Sequence, residues 1–274
     1  MTRATILAAC LGALTLGAGC DGPVPLGSSM AARSLPALSD HWSGANADLA
    51  KAAARGDERG IAAAIEAGAD PAARSRQGMP MVLWPVLGGS FEGYRALLEA
   101  GADPEARFPA SADDRAETGI ATEMMMRADA AFLAEALTRG ADPDAVGSNG
   151  EPLVWKAHYA DRWDLVEVLV EAGGDVDAFN HGERGQTLLR NASAGMFDRT
   201  VWLLEEGADP TWKIETAPKG HEDRVGAMPI LENIYYYEVD PERFPDGAAQ
   251  QRRAQEIVRE MGHPPPPRPR RYGG

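Results

Sequence analysis

The chain has 274 residues, 44% of them hydrophobic, with 27 Lys and Arg against 41 Asp and Glu, for a net charge of −14 and a pI near 4.8. That length holds one sizeable domain or one array of repeats. So acidic a chain argues against non-specific nucleic-acid binding, which needs a basic face, and it permits a basic protein partner without demanding one.

Residues 1–19 read as an export signal. Arg3 makes the start positive, residues 4–16 are mostly apolar, and Gly17, Ala18 and Gly19 precede Cys20. The apolar run is shorter than the ~20 residues that cross a bilayer as a helix. It has the length and small-residue ending of a signal peptide. The stretch "LGAGC" resembles the bacterial lipobox, which implies acylation of Cys20 and a lipid anchor; several acyl chains together hold a protein stably on a membrane. It departs from that pattern in having Leu16 four residues before the cysteine, where a lipobox usually has Leu at three. "LAAC", ending at Cys10, has the better spacing but leaves too short an apolar run. The alternative is an ordinary cleaved signal with Cys20 incidental. Cys10 and Cys20 are the chain's two cysteines, so the rest carries no disulfide and no thiolate metal site.

Residues 20–44 hold Pro23, Pro25 and Pro36 with several Gly and Ser and no sustained period. They are expected to form a flexible tether, spanning on the order of 30 Å as a coil.

From residue 45 onward one phrase recurs. "IEAGADP" begins at Ile65, "LEAGADP" at Leu98, "LTRGADP" at Leu137, "VEAGGDV" at Val170 and "LEEGADP" at Leu204. Its glycines, Gly68, Gly101, Gly140, Gly173 and Gly207, are spaced by 33, 39, 33 and 34 residues. Each follows an apolar run of helical period, such as Tyr94, Leu97 and Leu98. Gly reaches the left-handed conformation that ends a helix, and the Asp-Pro that usually follows starts a turn. The phrase is a helix stop and a turn start, and a period near 33 marks a stacked repeat.

The stretches before these glycines complete the unit. "GEPLVWKA" from Gly150 and "GMPMVLW" from Gly78 each begin 23 residues ahead of the closing glycine, and Gly56-Asp57, Gly89-Ser90 and Gly195-Met196 sit between the two helices. These are similar to divergent forms of the ankyrin TPLH motif and interhelical turn, in phase over about four fifths of the chain, although no unit carries a complete TPLH. The resemblance to the ankyrin-repeat family implies an all-α solenoid of about six helix pairs joined by β-turn or hairpin loops. The units are expected at 45–70, 71–103, 104–142, 143–175, 176–209 and 210–263. The first lacks its hairpin half. The unit at 104–142 carries about six extra residues. The last carries about nine in its hairpin around Trp212 and about thirteen between its helices, around 239–249. Residues 264–274 begin with four prolines and carry Arg268, Arg270 and Arg271. They are expected to be polyproline-like and disordered, or else a segment that serves as a ligand.

No catalytic pattern stands out. None of His41, His158, His181, His221 and His263 forms H-E-x-x-H, and no G-x-S-x-G elbow or phosphate-binding loop occurs. His158 with Asp161 could be taken for a metal pair, but the plainer reading is a solvated helix face. Trp155 and Trp202 read as core. Tyr235, Tyr236 and Tyr237 are consecutive, and helical neighbours point about 100° apart, so one of them should be exposed unless the adjacent insert covers it.

The resemblance therefore implies a binding protein without enzymatic activity or cofactor. Ankyrin arrays bind through the concave face made by hairpin tips and first helices. That places partner contacts at Arg76, Gln77, Met79, Met126, Arg127, Glu151, Tyr159, Phe179, Asn180, His181, Tyr235 and Tyr236. The expected partner is a protein, engaged by a monomer that is lipid-anchored in the bacterial envelope and faces the periplasm. Envelope-anchored members of this kind include immunity proteins against secreted toxins such as phospholipase effectors. The alternative is a periplasmic stress or maintenance scaffold supporting an enzyme complex.

Overall fold

The computed structural model describes residues 35–108, 119–120, 122, 128–180, 186–213 and 226–269. Five helices close successive units: α3 (Glu58–Glu66), α5 (Phe91–Glu99), α6 (Ala130–Thr138), α8 (Trp163–Glu171) and α10 (Phe197–Glu205). All five are nine residues long. Each shows one face to the core: α8, for example, buries Leu165, Val166, Leu169 and Val170, the i, i+1, i+4, i+5 pattern of an amphipathic helix. The starts of the first three are set by short polar side chains. Asp57, Ser90 and Asp129 accept backbone N–H bonds from Gly60, Gly93 and Ala131 respectively, satisfying donors the helix itself cannot.

Their ends are alike. The recurrent glycine has φ between 92° and 97° in all five units. In the second unit Gly101 N–H bonds to Leu98 O at 3.0 Å and Ala102 N–H to Leu97 O at 3.0 Å. The same pair of bonds recurs in the other four. This is the Schellman arrangement, in which the left-handed residue turns the chain back over the last carbonyls. Gly262, at φ 90°, ends the last helix in the same way.

Ahead of these stand the first helices: α2 (Ala45–Ala53), α4 (Leu83–Gly88), α7 (Leu153–Tyr159), α9 (Leu188–Ala192) and α11 (Pro229–Tyr236). The first-helix position of the third unit, 123–127, lies outside the described residues. Neighbouring second helices pack on each other, as α3 on α5 and α6 on α8. One continuous core results, running from Trp42 to Val258 through Leu97, Leu133, Trp155, Leu169 and Leu203.

The turns between units are tied by carboxylates. Glu105 accepts the Asp142 N–H, Asp144 the Asp175 N–H, and Asp177 the Asp209 N–H, the last through both oxygens at 3.0 Å. The leading aspartates Asp103, Asp142, Asp175 and Asp209 each accept the N–H two residues on, closing their own turns. Hairpin tips follow, with bridges at Arg74 to Pro80 and Val146 to Pro152. At the six-residue insert β1 (Arg107–Phe108) pairs antiparallel with β2 (Gly119–Ile120).

Three boundaries differ from expectation. The array begins before residue 45: α1 (Leu38–His41) is helical, and Trp42 is buried with its ring 6.1 Å from that of Trp84. A tryptophan can bury its large surface against a distant unit whatever the composition around it. The thirteen extra residues of the last unit do not all form a loop, because its second helix, α12 (Pro245–Glu260), has 16 residues where its counterparts have nine. The expected disordered tail is docked over 264–269, where Pro266 O accepts from Tyr236 Oη and Arg268 lies over the Tyr236 ring.

Candidate protein-binding face

The hairpin tips and first helices hold the side chains singled out from sequence, and the structure divides them. Arg76 and Gln77 are exposed and Met79 half-buried. The Arg76 guanidinium donates to Ser39 O at 3.2 Å and its backbone N–H to His41 O. This tip is therefore braced on the N-terminal helix. Met126, Arg127 and His181 lie outside the described residues.

Tyr159 is 57% exposed at the end of α7. Its hydroxyl accepts from Asn180 Nδ2 at 2.8 Å. The adjacent Phe179 ring lies 6.4 Å from Trp212 of the next tip. Aromatic surface from three successive units thus stands along one edge, beside Trp155, whose indole N–H donates to Ala178 O at 2.8 Å. Trp155 is structural, as expected: it pins the hairpin to the helix below.

Glu151 and Asn180 are not available for contact. They are 1% and 7% exposed. The backbone explains both. Gly147 N–H bonds to Glu151 O, which turns Glu151 into its own hairpin. Asn180 exchanges bonds with Gln186, donating its N–H and accepting the Gln186 N–H on Oδ1 at 2.7 Å. A buried amide that closes a loop is worth more kept than exposed.

Tyr235 and Tyr236 are half-buried at the end of α11, and Tyr237 begins the next turn with its ring 5.9 Å from Phe197. Here the cover is the chain's own C-terminus. Tyr235 Oη donates to His263 O at 2.7 Å and Tyr236 Oη to Pro266 O. Arg259 lies over the Tyr235 ring and Arg268 over that of Tyr236. Burial raises the pKa of Tyr235, against the opposing influence of Arg259, so its hydroxyl remains a donor at neutral pH.

Of the groups with possible chemistry, His158 is half-buried and its Nε2 N–H donates to Asn191 Oδ1 at 3.1 Å. Desolvation lowers its pKa, the Asn191 bond raises it and the nearby Arg199 lowers it. Asp161 instead pairs with Arg199 at 3.1 Å, so it is engaged away from the imidazole. A cleft of about 790 Å³ between the tips is lined by Arg74, Arg107, Asp103, Glu105, Asp142 and Asp144 among others. Its four carboxylates accept backbone N–H bonds. Among the described residues no group of three His, Cys, Asp or Glu is placed to hold a metal. The opposite, second-helix side carries exposed ion pairs between units: Glu58 with Arg95, Glu99 with Arg139 and Glu205 with Arg253. Each contributes little singly.

No family model and no curated protein matches the sequence. Solved structures do. An ankyrin repeat domain from Acinetobacter baumannii AYE is 21% identical, with 78% of this chain matched to 97% of that one at a TM-score of 0.51. The ankyrin repeat domain of Bcl-3, a member of the IkappaB family, is 24% identical over 77% of this chain and 81% of that one, with a TM-score of 0.49. With second helices of repeated length and glycine stops of repeated geometry, the chain has the ankyrin-repeat fold, an all-α solenoid.

Proposed function

We propose that this is a non-enzymatic binding protein that holds a protein partner on the face made by its hairpin tips and first helices. The observation that carries the reading is the exposed Tyr159 in line with Phe179 and Trp212, aromatic surface contributed by three successive units. Tyrosine and tryptophan are favoured anchors at interfaces. The fold supports it, since ankyrin solenoids offer a broad concave surface rather than an enclosed catalytic pocket. In this reading Arg76, Gln77, Met79, Tyr159 and Phe179 are the contacts. Cys20 is acylated, and the chain stands in the bacterial envelope facing the periplasm. It acts there as an immunity protein that neutralises a secreted toxin such as a phospholipase effector.

The test is capture from envelope extracts by the parent chain and by Tyr159→Ala and Phe179→Ala. Tyr159→Ala should melt close to the parent, because exposed changes stay within ~0.5 kcal/mol, and Phe179→Ala somewhat lower, because its ring is half-buried; at least one should weaken capture by ~1–2 kcal/mol or more. The control is Glu171→Ala on the second-helix side, preferred to Glu99, which bridges to Arg139 at 3.0 Å. Loss of the partner with the control alone would place binding on the other side. The immunity role adds two requirements: an adjacent gene encoding a toxic secreted enzyme, and release of the Cys20→Ala chain from the membrane fraction.

A further inference from the structure

We propose that Tyr235 and Tyr236 form a recognition ledge for a proline-rich, arginine-bearing segment in the polyproline II conformation, and that residues 263–269 of the same chain fill it in the isolated protein. The ledge stands at the end of α11, a first helix, and so extends the face proposed for binding beyond the contacts named for it; the recognition itself rests on separate observations.

The first is periodicity. His263, Pro266 and Pro269 are half-buried, while Pro264, Pro265, Pro267 and Arg268 are exposed. A covered residue at every third position is what an extended helix of three residues per turn presents to a flat surface. The second is the hydrogen bonding. The two tyrosine hydroxyls bond to the carbonyls of His263 and Pro266, one turn apart, or about 9 Å at ~3.1 Å per residue. Proline has no N–H, so its carbonyl is the one backbone group a surface can address. A hydroxyl raised on an aromatic ring is the group that does so. The third is charge. Arg268 lies 5.8 Å from the centroid of the Tyr236 ring, a cation over an aromatic face, on a protein of net charge −14.

These features belong to the surface as much as to the tail. Adjacent aromatic hydroxyls that address carbonyls three residues apart would accept any segment with the same spacing and a following arginine, because polyproline II is ordered before it binds and loses little entropy on docking. The chain's own copy competes with an effective concentration in the millimolar range, as for any short tether. A partner of this kind therefore enters the last unit by displacing the tail.

The probe is a fluorescein-labelled peptide with the sequence of residues 263–272, titrated by anisotropy into full-length protein. One sample is the parent. A second carries Pro264→Gly, Pro265→Gly, Pro266→Gly and Pro267→Gly, which loosens the tail without shortening the chain. A third adds Tyr235→Phe and Tyr236→Phe to the second. The loosened chain should bind the peptide about tenfold more tightly than the parent. The tyrosine variants should reverse most of that gain while melting at the same temperature, and a scrambled peptide of equal composition should not bind. Equal affinity for the parent and the loosened chain overturns the proposal. So does binding indifferent to the loss of both hydroxyls. Equal binding of the scrambled peptide also overturns it, since attraction is then charge alone. If the peptide fails while Tyr159→Ala still loses the captured partner, the ledge is wrong and the binding-face reading stands. If the peptide behaves as expected and Tyr159→Ala captures normally, the reverse holds.

Discussion

The unit at 143–175 and the last unit, 210–263, are built from the same two-helix plan and solve different problems. The inner unit has neighbours on both sides. Its second helix is nine residues, its turn is tied to the units on either side through Asp142, Asp144 and Asp175, and Leu165, Val166 and Leu169 are fully buried. The last unit has a neighbour on one side only. Its second helix grows to 16 residues, and the glutamines of that helix reach back across the pair: Gln251 donates to Ile234 O and Tyr237 O, and Gln255 to Ile234 O. The carboxylate ladder stops at Thr211, where Asp144 and Asp177 stand in the units before. An inner unit is held by what stacks on it; an end unit must satisfy its own backbone and cover its own core. Terminal repeats of stacked arrays are atypical for this reason.

If that contrast is real, the same insult should spread from the middle and stay local at the end. Leu169→Asp puts a charge in a fully buried position between stacked helices. An unpaired buried ion costs several kcal/mol, ~4 or more, and each unit leans on its neighbours. Circular dichroism should show most of the helix signal lost at 25 °C. Val258→Asp is as deeply buried, but in the last unit. It should remove a minor share of the signal and leave a second melt close to that of the parent. Identical losses from the two would mean that the array folds as a single cooperative block, with no special end.

A smaller effect tests how closely the inner units stack. At Gly93, on α5, a Cβ would lie 1.8 Å from the Ala53 carbonyl oxygen. That contact is backbone, so it is relieved only by moving helices apart. Gly93→Ala should cost about 2–3 kcal/mol, the upper range for overpacking, read as a lowered denaturant midpoint at unchanged slope. A neutral result would show that the first two units slide freely on one another.

At the other end, Gln251→Leu and Gln255→Leu together should cost about 1–2 kcal/mol, since α11 stops at Tyr237 without a left-handed glycine and its last carbonyls lean on those side chains. Hydrogen exchange at the α11 amides should quicken in this variant and stay unchanged in α7. Exchange that quickens equally in both would deny the last unit its separate support.

Much of this architecture was legible because it repeats. A glycine that must take φ near 93° leaves the same mark each time, so Gly68, Gly101, Gly140, Gly173 and Gly207 could be aligned without any structure. Features used once left no such mark. Trp42 sits in a run of composition typical of linkers and finds its partner, Trp84, 42 residues away. Glu151 and Asn180 look like surface residues, and hairpins folding back on themselves bury them. The tail could not be read at all beyond its backbone preference: prolines carry no amphipathic period, and the contacts from Tyr235 and Tyr236 span 28 and 30 residues. The residues read for the binding face accordingly stand exposed where they follow the repeat, as Arg76 and Tyr159 do, and are buried where a hairpin folds back, as Glu151 and Asn180 are.

The smallest expected effect concerns the ladder that the inner units have and the last one lacks. Burial raises the pKa of Asp177 above the ordinary value, its hydrogen bond from the Asp209 N–H lowers it, and the neighbouring Asp209 and Asp175 charges raise it again. A carboxyl that binds its proton more tightly when folded than when unfolded makes stability fall as pH rises through that window. At pH 7 the parent therefore carries a cost that is absent in acid. Asp177→Asn keeps an oxygen to accept the Asp209 N–H and removes the charge, so the variant should melt slightly higher than the parent at pH 7. The gain should stay below ~1 kcal/mol, because the group is partly open to water, and it should shrink as pH falls towards the ordinary carboxylate range and the parent takes up its proton. A variant that melts lower than the parent at pH 7, with a gap that widens in acid, would mean that the two-oxygen contact with Asp209 outweighs the repulsion, and that the ladder strengthens the inner units through its charge rather than in spite of it.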